Sequence, residues 1–233
     1  IPSITEILFA LGAGPSVAGC TVYCTEPPEG VAARTRVGGQ KNPKLDVIRE
    51  LGADLVVANI EENVREHVEA LRGWGIPVYV TYPRTVVEGI RLVSDLGSIV
   101  GLPERGREMA AALEAALDDV RRTRAGRQVR RVFYPIWREP WMTISHDTYV
   151  HDMLTQCGGD NVFGASAARY PEVTMDDVAR AMPEVILLPD EPYRFRRVHL
   201  ADFDTCPDIP AVRDRRLHLV DGKLATWYGP RIA

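Results

Sequence analysis

The sequence has no apolar run near the ~18–20 residues that a membrane-spanning helix needs. Its longest apolar stretches, residues 109–117 and 185–188, are short, and Glu114 breaks the first. Basic residues are not in excess either. Lys plus Arg total 28 against 32 Asp plus Glu, a net charge of −4, so the electrostatic footprint of a nucleic-acid binder is missing. Cysteine is scarce: Cys20, Cys24, Cys157 and Cys206 are too few for a disulfide framework in 233 residues. Cys20 and Cys24 lie four apart with no second pair at metal-ligand spacing, and read as buried or free thiols. The five histidines, His67, His146, His151, His199 and His218, are scattered with no H-x-x-x-H or H-E-x-x-H pattern, so no resident metal is expected. There is no Walker A sequence and no G-x-S-x-G. Gly12-Ala13-Gly14-Pro15-Ser16-Val17 falls one residue short of G-x-G-x-x-G and follows a helix, and so reads as a helix cap and turn.

What is present is ordinary globular composition, 45% apolar and 26% charged, in a chain long enough to bury roughly 70% of its unfolded surface without covalent staples. Helical and strand patterns alternate. Ser3 and Glu6 form an S-x-x-E capping box ahead of Ile7, Leu8 and Leu11. A helix so near residue 1 suggests a preceding strand that is absent, and residues 229–233 likewise look interrupted. Strands are expected at 17–21, 54–58 and 77–81, and helices at 45–51, 61–74 and 85–100. A long helix follows over Pro103–Arg124, with Pro103 and Glu104 at its start and Arg121, Arg122 and Arg124 at its end, the order that complements the helix dipole. Strand and helix alternation then resumes: strands 130–136 and 141–144, helix 148–157, helix 175–182, strands 184–188 and 216–220. Residues 45–57 echo residues 175–187 at a constant offset of 130. The expected fold is therefore α/β, two Rossmann-like lobes with parallel sheets joined by one long helix: an N-terminal lobe 1–101, a connecting helix 102–126 and a C-terminal lobe 127–233.

Ser145-His146-Asp147 has the residue types of a hydrolase triad, but three consecutive side chains diverge, and Asp147 or Thr148 is better read as a helix cap. His146, in that loop, is a candidate ligand contact. Aromatic residues gather in loops: Tyr23, Tyr82, Trp137, Trp141, Tyr170, Tyr193, Phe195, Trp227 and Tyr228. Loops beyond the strand C-termini face the ligand in parallel α/β lobes, and ring faces there suit a large, flat, partly apolar molecule.

Five stretches of residues carry a resemblance. They are Pro2 to Gly12, Tyr23 to Pro28 and the run 45–57 in the first half, and Cys157 to Phe163 with Tyr170-Pro171-Glu172-Val173 in the second. Together with the long middle helix, nearly the whole chain resembles the cobalamin- and iron-chelate-binding proteins of ABC importers, the class III periplasmic-binding-protein-like receptors with a helical backbone. The resemblance implies a monomeric, extracytoplasmic receptor, not an enzyme, with no cofactor of its own. It would capture a small-molecule metal chelate between its lobes, a cobalamin-like corrinoid first, haem or a ferric siderophore otherwise, and deliver it to the transmembrane subunits of an ABC permease. No nucleic acid is implied. Tyr23 matches the family's aromatic after the first cleft loop, Tyr170 stands where a Trp precedes Pro, Trp141 stands for a Phe, and Asn59 stands where a cobalamin binder has Trp. The expected ligand contacts are Tyr23, Asn59, Tyr82, Trp137, Trp141, His146, Tyr170, Tyr193, Trp227 and Tyr228, with Arg84, Arg138 or Arg194 available for carboxylate or phosphate. For permease docking, Asp176 matches the second-lobe acid, with Glu172 near it. The first-lobe position is Arg65, so Glu62 or Glu66 would substitute. A rival reading, an α/β enzyme acting on a nucleotide or sugar, needs paired carboxylates, for which Asp202 and Asp204 are the nearest candidates. A third keeps the fold and binds a free metal ion through His and carboxylate.

Overall fold

The computed structural model describes residues 1–233, and packing divides them into two compact units. The first comprises Ile1–Pro83, Val87–Ala115 and Trp227–Ala233; the second comprises Arg84–Val86 and Ala116–Thr226. This division differs from boundaries at 1–101, 102–126 and 127–233 chiefly at the carboxyl end, where residues 227–233 join the first unit. Two contacts fix them there. Gly229 has φ +96°, and a Cβ on it would stand 2.3 Å from Ile7 Cγ1, so only glycine fits. Arg231 pairs with Glu6 at 2.8 Å.

The first unit holds α1 (Pro2–Ala10), β1 (Gly19–Cys20), α2 (Pro28–Ala32), β2 (Thr35–Arg36), α3 (Leu45–Glu50), β3 (Val56–Asn59), α4 (Arg65–Gly73), β4 (Val78–Thr81) and all but the first residue of α5 (Val86–Ile99). Its strands form two parallel pairs, β1 with β2 and β3 with β4, the latter ending in register at Asn59 opposite Thr81. A cavity of about 760 Å³ is lined by Gly19, Cys20 and Thr21 on one side and Val56, Val57 and Ala58 on the other. It holds no Phe, Tyr or Trp. The helix α6 (Pro103–Arg124) contributes residues to both units, the division falling between Ala115 and Ala116. Its 22 residues span roughly 33 Å at 1.5 Å each. Gly97 of α5 and Gly106 of α6 let the two backbones meet: a Cβ on Gly97 would lie 2.6 Å from Gly106 Cα.

The second unit holds β5 (Arg130–Phe133), α7 (Tyr149–Gln156), β6 (Gly159–Asn161), α8 (Met175–Ala181), β7 (Val185–Pro189), α9 (Pro210–Arg213), β8 (Leu217–Val220) and α10 (Lys223–Thr226). All strand pairs are parallel, in the order β6-β5-β7-β8. Phe133, Ile186 and Leu188 project from the sheet into a core with Val178, Phe203 and Ile209, all essentially inaccessible to solvent. Burying so many large side chains accounts for the sheet's run of apolar residues in β7, which a parallel strand covered on both faces requires.

Three local expectations are corrected. The proposed capping box is not formed. Pro2, with φ preset for a helix, takes the first turn, so Ser3 lies inside α1 and is buried, and Glu6 turns to Arg231. The helix expected from 61 begins only at Arg65, because Asn59 Oδ1 accepts the backbone N–H groups of Glu61 and Glu62 (2.9 and 3.3 Å) and holds that stretch as a turn. Residues 141–144 form no strand of the sheet. Met142 instead makes antiparallel bridges to Trp137 and Glu172. Of the two expected caps for α7, Thr148 is the one used: its hydroxyl accepts the His151 N–H at 3.3 Å. The internal echo is structural: α3 leads to β3 as α8 leads to β7, and Gly52 (φ 59°) and Met182 (φ 47°), at equivalent positions, both adopt the left-handed conformation that ends the helix.

Candidate functional site

In the first unit the loops at the carboxyl ends of the strands are tied into one rim. Val22 N–H donates to Gly38 O at 2.9 Å, Asn63 Nδ2 to Gln40 O at 3.0 Å, and Lys41 Nζ to Glu61 O. Beneath this rim lies Asn59, almost wholly buried. Its amide nitrogen donates to Thr81 Oγ1 (3.1 Å) and to Tyr228 Oη (3.0 Å), while its oxygen organises residues 61 and 62 as above. Tyr23 stands out from the rim, 59% exposed, and Ile60 is similarly exposed. Such a rim presents a ring on a rigid base, which limits the ordering free energy that binding must overcome.

In the second unit, residues 134–142 after β5 fold back as a short hairpin. Arg138 anchors it: Nε donates to Asp202 Oδ2 at 2.7 Å and Nη2 to Asp202 Oδ1 at 3.1 Å, and Nη1 reaches Glu139. This bidentate bond and the adjacent carboxylates hold the guanidinium firmly in its charged form. Trp141 points inward, stacked on Phe195 (centroids 5.7 Å, 16°) and edge-on to Phe203 (5.5 Å). Trp137 points outward, 43% exposed, with its ring at 5.5 Å from Tyr193 in an edge-to-face contact.

Beside this, Asp147 receives two arginines: Arg84 Nη1 at 3.0 Å on Oδ1 and Arg169 Nη1 at 2.6 Å on Oδ2. Arg169 also lies over the ring of Tyr170, 5.6 Å from its centroid. Two guanidiniums thus converge on one half-exposed carboxylate. His146 is exposed, and its Nδ1 meets Gly164 O at 2.9 Å. His151 is held below the ordinary imidazole range by burial first and by the neighbouring His146 second.

Residues 2–224 match the sequence profile of the family described as "Periplasmic binding protein". The chain belongs to the periplasmic binding protein family. Among its relatives, the vitamin B12-binding protein of Vibrio cholerae serotype O1 is 28% identical over 185 residues, covering 79% of this chain and 67% of that protein. That of Vibrio campbellii is 29% identical over 186 residues, with the same coverage. Among solved structures, the periplasmic vitamin B12 binding protein BtuF of Vibrio cholerae superposes with a TM-score of 0.88 at 24% identity, over 99% of this chain and 89% of that one. At that identity the likeness speaks for the fold alone: α/β with parallel sheets, as expected from the sequence. The periplasmic heme-binding protein RhuT from Roseiflexus sp. RS-1 superposes at 0.85 with 26% identity, over 99% and 90%.

In this periplasmic binding protein the ten expected ligand contacts separate into groups. Tyr23, Trp137, His146 and Tyr170 are exposed, and Tyr82 and Tyr193 are half-buried. Asn59, Trp227 and Tyr228 are buried, and Trp141 belongs to the aromatic core. For Asn59 the physical reason is plain: both ends of its amide hold the rim together. Of the docking carboxylates, Glu66, Glu172 and Asp176 are exposed, whereas Glu62 is half-buried and desolvation raises its carboxyl above the usual range despite Lys41. Of the three candidate arginines, Arg138 and Arg84 are paired with Asp202 and Asp147, and Arg194 is exposed. Arg169 escaped sequence reasoning. The only signal was its place before Tyr170-Pro171.

Proposed function

We propose that this chain is the substrate-binding component of an ABC importer, acting outside the cytoplasm, which holds a metal chelate and passes it to the transmembrane subunits of its permease. The chelate is a corrinoid of the cobalamin type. Most of the support comes from one observation: four fifths of the chain aligns with proteins named for vitamin B12. The rings exposed at strand-end loops, Tyr23, Trp137 and Tyr170, suit the faces of such a macrocycle. The role needs no bond-making step. Asp202, on which an enzymatic reading depends, is taken up by Arg138. Glu66, Glu172 and Asp176 supply exposed acids for contact with a basic permease surface.

Haem is the second reading, favoured by the Arg84–Asp147–Arg169 cluster, whose guanidiniums match the carboxylates of a porphyrin better than the amides of a corrin. Titration of intrinsic tryptophan fluorescence with cyanocobalamin, hemin and a ferric siderophore decides between them. Saturable quenching by cyanocobalamin is expected. Quenching by hemin alone moves the assignment to the second reading, and no saturable response to any of the three overturns the chelate-binding role. Metal analysis after chelator treatment separates both from capture of a bare ion.

A further inference from the structure

Cys20 and Cys24 stand at the two ends of one turn in the first unit. Cys20 ends β1, and residues 21–24 turn back on themselves through a bond from Cys24 N–H to Thr21 O at 3.1 Å. Both thiols are buried and pack in one small cluster with Val31 and Phe9. Cys24 Sγ lies 3.2 Å from both Thr5 Oγ1 and Thr21 Oγ1. A single atom, Arg36 Nη1, donates to Cys20 Sγ (3.2 Å), Thr21 O (2.9 Å) and Cys24 O (2.9 Å), drawing the two ends of the turn together. Burial first and the neighbouring Cys24 second push the Cys20 thiol up, against the pull of Arg36.

We propose that Cys20 and Cys24 form an intramolecular disulfide, closing the turn that presents Val22 and Tyr23. The two thiols already pack in one apolar cluster, and Arg36 Nη1 ties Cys20 Sγ to the Cys24 carbonyl, so the two ends of the turn stand side by side, whereas Cys157 and Cys206 belong to the other unit. The oxidant is a disulfide, small or carried by a protein. One cysteine thiolate attacks it and releases a thiolate. The second cysteine then displaces the remaining half, so that two S–H bonds are lost, one S–S bond is made between the cysteines, and the oxidant departs as two thiols carrying both protons and both electrons. An oxidising extracytoplasmic compartment favours this outcome. The bond itself does not depend on which ligand the protein takes.

The sequence makes the test unambiguous. The first basic residue is Arg34, so trypsin releases residues 1–34 as one peptide holding these two cysteines and no other. The full chain is refolded in a buffer of reduced and oxidised glutathione, remaining thiols are alkylated in denaturant, and the digest is weighed. The expected result is a 1–34 peptide two hydrogens lighter and unalkylated, restored to two alkylated thiols by dithiothreitol, with Cys157 and Cys206 alkylated throughout. The oxidised form should also melt at a higher temperature than the reduced form. A 1–34 peptide that stays doubly alkylated, carries glutathione, or is linked to another peptide overturns the proposal. So does a melting temperature that falls on oxidation, because the native turn would then be strained by the bond.

Discussion

The Arg138–Asp202 pair gives the sharpest test of how the second unit holds its exposed tryptophan. The pair is bidentate at 2.7 and 3.1 Å, and each side chain retains about a quarter of its exposure. An exposed ion pair contributes ~0–1 kcal/mol, and breaking a fully buried one costs ~3–5 kcal/mol. This geometry lies between, so Asp202→Asn should destabilise the second unit by about 1–2 kcal/mol. In a chain of this size that is a fall of roughly 2–8 °C in melting temperature. The pairwise term is isolated by comparing Asp202→Asn, Arg138→Gln and the double variant in denaturant or calorimetric unfolding. The double variant should recover about 1 kcal/mol relative to the sum of the singles, because each single leaves one charged partner without its counterpart. Cyanocobalamin titration of the same variants should show weakened binding, since the hairpin that carries Trp137 loses its anchor. Additive single effects, within ~0.3–0.5 kcal/mol, would refute the reasoning and reduce the pair to a surface contact. If Asp202→Asn instead abolished a catalytic turnover while leaving stability unchanged, the receptor reading itself would give way to the enzymatic one.

Three further outcomes are expected. Trp137→Ala should leave thermal stability nearly unchanged but weaken cyanocobalamin binding, whereas Trp141→Ala, stripping a ring stacked on Phe195, should cost ~3–5 kcal/mol in urea unfolding; equal effects of the two on stability would contradict the assignment. Asn59→Leu leaves Tyr228 Oη and the Glu61 and Glu62 N–H groups without their present partner and should cost about 2–4 kcal/mol, read from the denaturation midpoint of the first unit; a neutral substitution would show that water serves the rim equally well. Glu62 has a folded-state pKa raised above its ordinary 4.5 by burial, so its ionised form opposes folding. Glu62→Gln should therefore be more stable than the parent at neutral pH, and the advantage should shrink as pH falls through the raised value and vanish below about 4.5, as followed by melts across that window; a constant offset at all pH values would exclude titration of Glu62 as the cause.

Much of this molecule was legible in one dimension. Helix α6 was readable to the residue because Pro103, the early acids and the late arginines all act within one turn of its ends. The parallel βα alternation was readable because β3, β4 and β7 carry runs of apolar and β-branched residues. The strands β2 (Thr35–Arg36) and β6 (Gly159–Asn161) escaped, since two or three residues without an apolar pattern become strands only when a neighbour supplies the hydrogen-bonding edge. Among the site residues, the loops were legible and the direction of each ring was not. Trp137 and Trp141 are four residues apart in similar surroundings, yet Arg138 and Asp202, 64 positions apart, close a hairpin that turns one ring outward and the other into the core.

Periodicity, caps and composition are local quantities, and they already specify which segments bury an apolar face, where the long helix begins and ends, and that aromatic side chains cluster between elements. Folding alone brings Asn59 to brace the rim of the first unit, gathers two arginines on Asp147, and packs residues 227–233 against α1. Each of those rests on hydrogen bonds, charges or close approach between residues distant along the chain, and such pairings exist only once the chain has folded.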